Sequence, residues 1–413
     1  MFRPISISLS PNTESDDIWL AFKMIFQPWK WKKGSGISDF EKEFKTYFHF
    51  ENATSFNSGR SALFAILKSL NFTKGEEVLL QAFTCNALVN PILWTGLKPV
   101  YIDCDKNTFN ISPEDLEKKI TQKSKAVIIQ HTFGNPADID KILEICAKHD
   151  LFLIEDCAHS LGALYHRKPV GSFGRAAFFS FSRDKVLSCV YGGIAVAFDK
   201  ELALKIKEFQ KEAGFPSYFW IFQQLLHPIL MNWKILPTYS FFGKYLLVLL
   251  QWLHILSKAV HWKEKRGKKP GYFPKLLPNA LSLLAALQFK KLERFNNHRG
   301  KIADFYLQKL QGSSFTLPNL SPDKKHIFLR FPIRHKKAHE IIKKSWKKNM
   351  LIGDWYDSVI APSDTRLKAM GYEKGSCKNA EDLTQETFNL PTHINISVKE
   401  AQKIVNFLRD YGN

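Results

Sequence analysis

LFLIEDCAHS (residues 151–160) and AAFFSFSRDK (176–185) are two apolar runs of the same construction, and their reading decides the fold. Each is short, rich in Phe, Ile, Leu or Ala, and empties into polar groups. The first delivers Glu155, Asp156 and His159; the second delivers Ser180, Ser182, Arg183, Asp184 and Lys185. Apolar runs of this length bounded by turn residues read as buried strands. A lone lysine at such an exit is ordinarily a solvated turn, because lysine is rarely buried unless something pairs with it. What else reaches the same edge decides the matter.

Four more runs share the pattern: VLLQ (78–81), KPVYID (98–103), KAVIIQ (125–130) and GGIAVAF (192–198). Between several of them lie helical patterns, SALFAILKSLN, NALVNPILWTG and DIDKILEICAKHD. Strand, helix, strand in repetition predicts an α/β fold with a mostly parallel sheet flanked by helices on both faces. Ligands of such sheets bind beyond the carboxyl ends of the strands. There SFNSGRSAL places Ser58, Gly59, Arg60 and Ser61 where a loop opens into a helix, a natural cradle for phosphate. QHTFGNPADID leaves another strand through His131 and Gly134. A phosphate cradle, an aspartate, a histidine and a lysine on one rim are what pyridoxal phosphate requires of a protein. Lys185 supplies the amine for a Schiff base, and Asp156 a carboxylate for the pyridine nitrogen. Gly59, Arg60 and Ser180 supply phosphate donors, and His159 a neighbour for the phenolic oxygen.

The succession NSGRSAL, GLKPVYIDCD, HTFGNPADID, EDCAHSLGALYHRKPVGSFGRAAFFSFSRDK, YGG and NLPTHINIS resembles the DegT/DnrJ/EryC1/StrS family of sugar aminotransferases, which are fold-type I enzymes. The likeness spans most of residues 35–210 and resumes from about 278. It implies that Lys185 is the catalytic Schiff-base lysine, Asp156 the pyridine-nitrogen aspartate, His159 the residue beside the phenolic oxygen and Ser180 a phosphate ligand. The implied activity is transfer of an amino group from an amino acid, glutamate, to a keto-sugar on a nucleotide or lipid carrier, by a homodimer. Some relatives replace the lysine by histidine and dehydrate their sugar; Lys185 favours transamination. A dehydratase that keeps the cofactor, and a catalytically silent membrane- or partner-binding protein, are the alternatives. The chain departs from the family in three places. Arg60 stands where most members have threonine, Cys85 where an aromatic stacks on the cofactor ring, and LLPNALSLLAALQ where an Arg-Met-x-Glu-x-Gln segment makes contacts across the dimer.

The bulk properties fit a folded enzyme: 413 residues, 45% hydrophobic and 24% charged. Six scattered cysteines with no C-x-x-C pair argue against a metal site and a disulfide framework, and predict a reducing cytoplasm. The first residues lack the apolar core of a signal peptide. The net charge of +20 calls for an anionic partner, and with no helix-turn-helix, zinc-finger or aromatic RNA-binding signature, nucleic acid is excluded.

Residues 215–273 interrupt the resemblance with a segment dense in Trp, Phe, Tyr and Leu, including Trp220, Trp233, Trp252 and Trp262. Its best uncharged run, Tyr245 to Ser257, is too short for the ~20 residues of a membrane span. Lysines and an arginine cluster at 258–275. Two readings stand side by side. In one, short helices dip into one leaflet of an anionic membrane, on the inner face of which the enzyme would sit. In the other, the segment packs on the protein or a dimer partner. The N-terminal WLAFKMIFQPWKWKKG has the same character. The expected organisation is an N-terminal arm (1–34), a large cofactor domain (35–214), an apolar helical insertion (215–277) and a helix with a smaller α+β C-terminal domain (278–413).

Overall fold

The computed structural model describes residues 3–411. Its centre is a seven-stranded sheet: β1 (Ala53–Phe56), β2 (Glu77–Gln81), β3 (Lys98–Ile102), β4 (Ser124–Gln130), β5 (Phe152–Asp156), β6 (Ala176–Ser180) and β7 (Gly193–Ala197). The spatial order is β1-β7-β6-β5-β4-β2-β3, with β7 antiparallel to both of its neighbours and the other six strands parallel. The six strands expected from the apolar runs are all present. β1 was not among them: ATSF is short and half polar, and it becomes a strand by pairing with β7, Phe56 opposite Gly193.

Period-two alternation divides the strands between two cores. Leu79, Val127, Ile129, Leu153, Ala177 and Phe179 face one side, against helices Gly36–Phe48, Ile139–Lys148 and Asn279–Phe289. Val78, Leu80, Ile128, Ile154, Ala176 and Phe178 face the other, against Gly59–Ser69 and Asn86–Trp94. The four-residue spacing of Phe40, Phe44 and Phe48 lines one helix face, and Phe44 meets Phe179 at 5.1 Å between ring centroids.

A third core lies in the C-terminal part, where β8 (Phe331–Arg334) and β9 (Thr387–Leu390) pair antiparallel beneath helices Leu292–Leu310, Ala338–Lys347 and Val398–Arg409. Ser397 and Glu400 form a reciprocal capping box on the last helix. HIFLRFPIR reads as one strand, yet only 331–334 is. The amides of Ile327 and Leu329 donate instead to Gly134 and Phe133 at 3.2 and 2.9 Å, which ties this segment to the loop after β4.

The 215–277 segment has two characters. The Tyr218–Leu230 helix is core: Trp220, Ile221, Leu225 and Ile229 are buried, and it packs on helices Ser15–Ile25 and Asn279–Phe289. Pro228 does not break this helix, which runs on into a π-type turn at Met231–Ile235. The Lys244–Trp252 helix, by contrast, buries no residue, and Trp233, Phe241, Tyr245, Val248 and Trp252 are exposed. Trp233 touches both Trp19 and Phe22, each at 5.7 Å, so the N-terminal helix and the insertion share one aromatic surface. Among the described residues no helix is long and apolar enough to cross a membrane.

Candidate active site

β5 and β6 are hydrogen-bonded neighbours with Asp156 opposite Phe178, so their exits open onto the same rim. Gly59, Arg60, Cys85, Asp156, His159, Ser180 and Lys185 all line a single cavity of about 250 Å³ there. The sequence placed these residues one motif at a time, and the fold brings them together.

The cradle is close-packed backbone. A Cβ on Gly59 would lie 2.8 Å from Ser180 Cβ, and one on Gly193 only 2.4 Å from the Gly59 nitrogen. Ser58 caps the Gly59–Ser69 helix by accepting the Ser61 N–H at 3.1 Å. The Gly59 and Arg60 amides belong to the first turn, which has no intrahelical acceptors. The Arg60 guanidinium is engaged elsewhere: it pairs with buried Glu264, donates to Ala259 O at 3.3 Å and lies 4.9 Å from the Phe273 ring.

Asp156 is buried, and its Oδ1 accepts the Ala158 N–H at 2.9 Å. Among the described residues Oδ2 has no hydrogen-bond donor. Burial pushes its carboxyl up to about 6, against the smaller opposing pull of that amide, Lys185 and His131. An unfolded carboxyl titrates near 4, so between about pH 4 and 6 the folded chain holds more protons than the unfolded one, and stability falls as pH rises across that window. Stripped of cofactor, Asp156→Asn should therefore exceed the parent in stability by about 3 kcal/mol at pH 7.5 and nearly match it at pH 4. Urea denaturation at both pH values checks this, and equal differences at the two would refute it.

His159 is buried between Trp355, stacked at 5.4 Å, and Phe133, at 6.3 Å. Its Nδ1 accepts the Phe133 N–H and its Nε2 meets Tyr356 Oη, both at 3.4 Å. Burial, reinforced by Lys185 and Arg330, holds the imidazole neutral. Lys185 Nζ lies over the Trp355 ring at 4.9 Å. Its backbone is fixed from a distance: Asn12 Nδ2 donates to Lys185 O at 2.5 Å, and buried Arg299 donates to Asn12 Oδ1 and Val186 O at 2.7 and 3.0 Å. Cys85 lines the same cavity, with its thiol pushed up by burial. Aromatic side chains lining the cavity are Phe178, Tyr191, Trp355 and Tyr356.

Glu155 and His131 do structural work. Glu155 accepts the N–H groups of Gly171, Phe173 and Gly174, each at 2.7 Å, and His131 Nε2 at 3.1 Å. That carboxylate shapes the GSFG turn leading into β6. Trp355, Tyr356, Arg330, Glu264, Asn12 and Arg299 were not found by sequence reasoning. GDWYD carries no recognisable motif, and the others act across more than a hundred residues of chain.

The insertion forms a wall of the site. Arg183 donates to Ser257 O and Oγ at 2.7 and 2.5 Å, and Tyr191 Oη to Lys258 O and Ala259 O at 2.7 and 3.1 Å. Ala259 and Val260 line the cavity.

The chain belongs to the DegT/DnrJ/EryC1/StrS aminotransferase family, whose model matches residues 12–220 and 250–409, and it is a pyridoxal phosphate-dependent aminotransferase. The break in the match falls within the aromatic insertion. Spore coat polysaccharide biosynthesis protein SpsC of Bacillus subtilis strain 168 is 29% identical over 426 residues, covering 99% of this chain and 97% of that protein. GDP-perosamine synthase of Escherichia coli O157:H7 is 39% identical over 174 residues, 42% of this chain; the chain spans about half (48%) of that relative's length. Among solved structures, PseC of Helicobacter pylori, an aminotransferase involved in the biosynthesis of pseudoaminic acid, superposes with a TM-score of 0.77 at 21% identity, covering 99% of each chain. That likeness shows the fold, that of fold-type I enzymes.

Proposed function

We propose that the chain moves an amino group from glutamate to the ketone of a sugar carried on a nucleotide or lipid, working as a homodimer against an anionic membrane surface. The observation that carries the reaction is the convergence of Lys185, Asp156, Ser180 and the Gly59 cradle on one cavity. The relatives' names, a GDP-perosamine synthase and a dTDP-3-amino-3,6-dideoxy-galactopyranose transaminase of Aneurinibacillus thermoaerophilus that is 26% identical over 380 residues, support a sugar acceptor.

The residues fit the cofactor: Asp156 Oδ2 is free to accept the pyridine N–H, and the Gly59–Gly193 approach leaves no room for side chains in the cradle. Once bound, pyridoxal phosphate draws electrons from an amine-bearing carbon and makes its proton removable. Lys185 Nζ would take that proton from the donor's α-carbon and later deliver one to the former ketone carbon of the sugar, which then bears the amino group. Asp156 would keep the pyridine nitrogen protonated. The first-turn amides and Ser180 Oγ would hold the phosphate, neutral His159 would serve the phenolic oxygen, and the apolar walls would exclude water.

Nitrogen-15 glutamate, a nucleotide-linked keto-sugar and mass spectrometry test this. Label in the sugar is the expected result. Loss of a sugar hydroxyl without label would turn the reading to dehydration. Light scattering at about twice 47.6 kDa checks the dimer.

The aromatic surface of Trp19, Phe26, Trp29, Trp233, Tyr245 and Trp252 supports the membrane reading. So does its charge: residues 215–263 contain no Asp or Glu but carry Lys234, Lys244, Lys258 and Lys263. Flotation with phosphatidylglycerol vesicles should recover the protein, less so at high salt. Leu249→Glu with Trp252→Glu should lower the bound fraction about ten-fold. Equal flotation of both proteins would remove this placement.

A further inference from the structure

A second cavity, of about 440 Å³, opens beside the first, and the two share Arg183, Asp184, Asp354 and Trp355. At this boundary an ion pair joins the two parts of the fold. Arg330, immediately before β8, donates from Nη2 to Asp184 Oδ2 at 3.2 Å, and Asp184 precedes Lys185 on the loop after β6. The pair is loosely made, since a well-formed guanidinium–carboxylate contact is about 2.7–2.9 Å long and uses two parallel bonds. Among the described residues Arg330 has no other side-chain hydrogen bond, and its buried Nε has no partner.

The other guanidiniums of the site are committed. Arg60 pairs with wholly buried Glu264, and Arg183 donates to Ser257 and Gln224. Arg330 is firmly placed yet under-used. Its guanidinium lies 3.3 Å from the centroid of the Trp355 ring, and a Cβ on Gly353 would come within 3.0 Å of its Nη1. Arg330 is 2% exposed, whereas the Asp184 side chain is 24% exposed. The acid can therefore turn toward solvent while packing holds the cation in place. Asp354, which lines both cavities, acts on Arg330 from further off. Lys185 Nζ lies over the same Trp355 ring at 4.9 Å.

We infer that Arg330 receives a carboxylate of the amino-acid donor, and that Asp184 occupies this receptor until the donor arrives. The donor's nitrogen has to reach the position of Lys185 Nζ, and its carboxylates then lie within a few bonds of that point. Arg330 is the buried cation that shares the Trp355 ring with that nitrogen. A planar guanidinium with unused donors matches a carboxylate in bidentate fashion. Binding exchanges one carboxylate for another, so the buried charge is compensated both before and after. This rests on the aminotransferase reading and names the residue by which that site would select its donor.

Calorimetry with maleate, a dicarboxylate that has no amine, probes the receptor on the cofactor-loaded full chain. Arg330→Met should weaken maleate binding about ten-fold or more. Asp184→Asn, which removes the place-holder, should tighten it several-fold, a result that no folding defect produces. Single-turnover conversion of glutamate, alanine and 4-aminobutyrate then shows which carboxylate is held. Where Arg330 holds the one beside the amine, Arg330→Met slows glutamate and alanine about a hundred-fold and spares 4-aminobutyrate. Where it holds the distal one, alanine is spared instead. An equal loss with all of these amines overturns the assignment, as does maleate binding indifferent to both variants. Conversion of glutamate by the parent with such indifferent binding sinks the receptor alone, and a parent that leaves glutamate unconverted sinks the aminotransferase reading beneath it.

Discussion

Lys185→Ala is expected to abolish the visible absorbance band that the parent develops with pyridoxal phosphate, and to lower amino transfer from glutamate by about four orders of magnitude. Two losses coincide in this variant. The amine is the nucleophile that would hold the cofactor, and it is also the group that moves the proton. Nothing nearby substitutes for it. His159 is buried and held neutral, and its ring nitrogens face Phe133 N and Tyr356 Oη. Arg183 and Arg330 are guanidiniums, too basic to exchange a proton. A Lys185→Ala protein that still bleaches its band with glutamate would show that another amine carries the chemistry. A parent that never develops a band would favour the catalytically silent reading.

The largest effect on stability is expected at Glu264. Its side chain is fully buried, pairs with Arg60 and accepts the His261 N–H at 2.9 Å, while its carbonyl accepts Asn90 Nδ2 at 3.1 Å. Glu264→Gln leaves the Arg60 guanidinium, 9% exposed, without a counter-charge, which costs about 3–5 kcal/mol. Replacing both partners by apolar residues, Arg60→Met with Glu264→Leu, removes the orphaned charge and should restore most of that loss. Urea denaturation of the three proteins decides the matter. A Glu264→Gln change below about 1 kcal/mol would mean that water reaches the pair. The pair has a functional consequence as well, since it ties the insertion to the N-terminus of the Gly59–Ser69 helix. Loss of the tie should weaken cofactor retention along with stability.

Much of the site was legible because the chemistry sits at strand exits. Apolar runs mark the strands by composition alone, and the residues that follow each run must lie on one edge of a parallel sheet. That argument located Asp156, His159, Ser180 and Lys185. It failed where a segment's fate depends on its neighbours. ATSF became β1 through pairing with β7, and the first half of HIFLRFPIR surrendered its amides to the loop after β4. The insertion shows the same limit most plainly. Trp220 and Trp252 stand in equally aromatic stretches, yet one is buried against the Ser15–Ile25 helix side of the core and the other is 71% exposed.

The sequence by itself determined which apolar runs become strands, the edge on which the candidate residues lie, and the cofactor class, together with the lysine proposed to serve it. These follow from local periodicity and from side chains a few residues apart. Only the tertiary structure decided that Arg60 pairs with Glu264, that Asn12 and Arg299 hold the backbone at Lys185, and that the Trp355 ring meets both His159 and Arg330. It also decided which half of the aromatic insertion belongs to the core. Burial and pairing are properties of two segments at once, and no single stretch of sequence carries the identity of its partner.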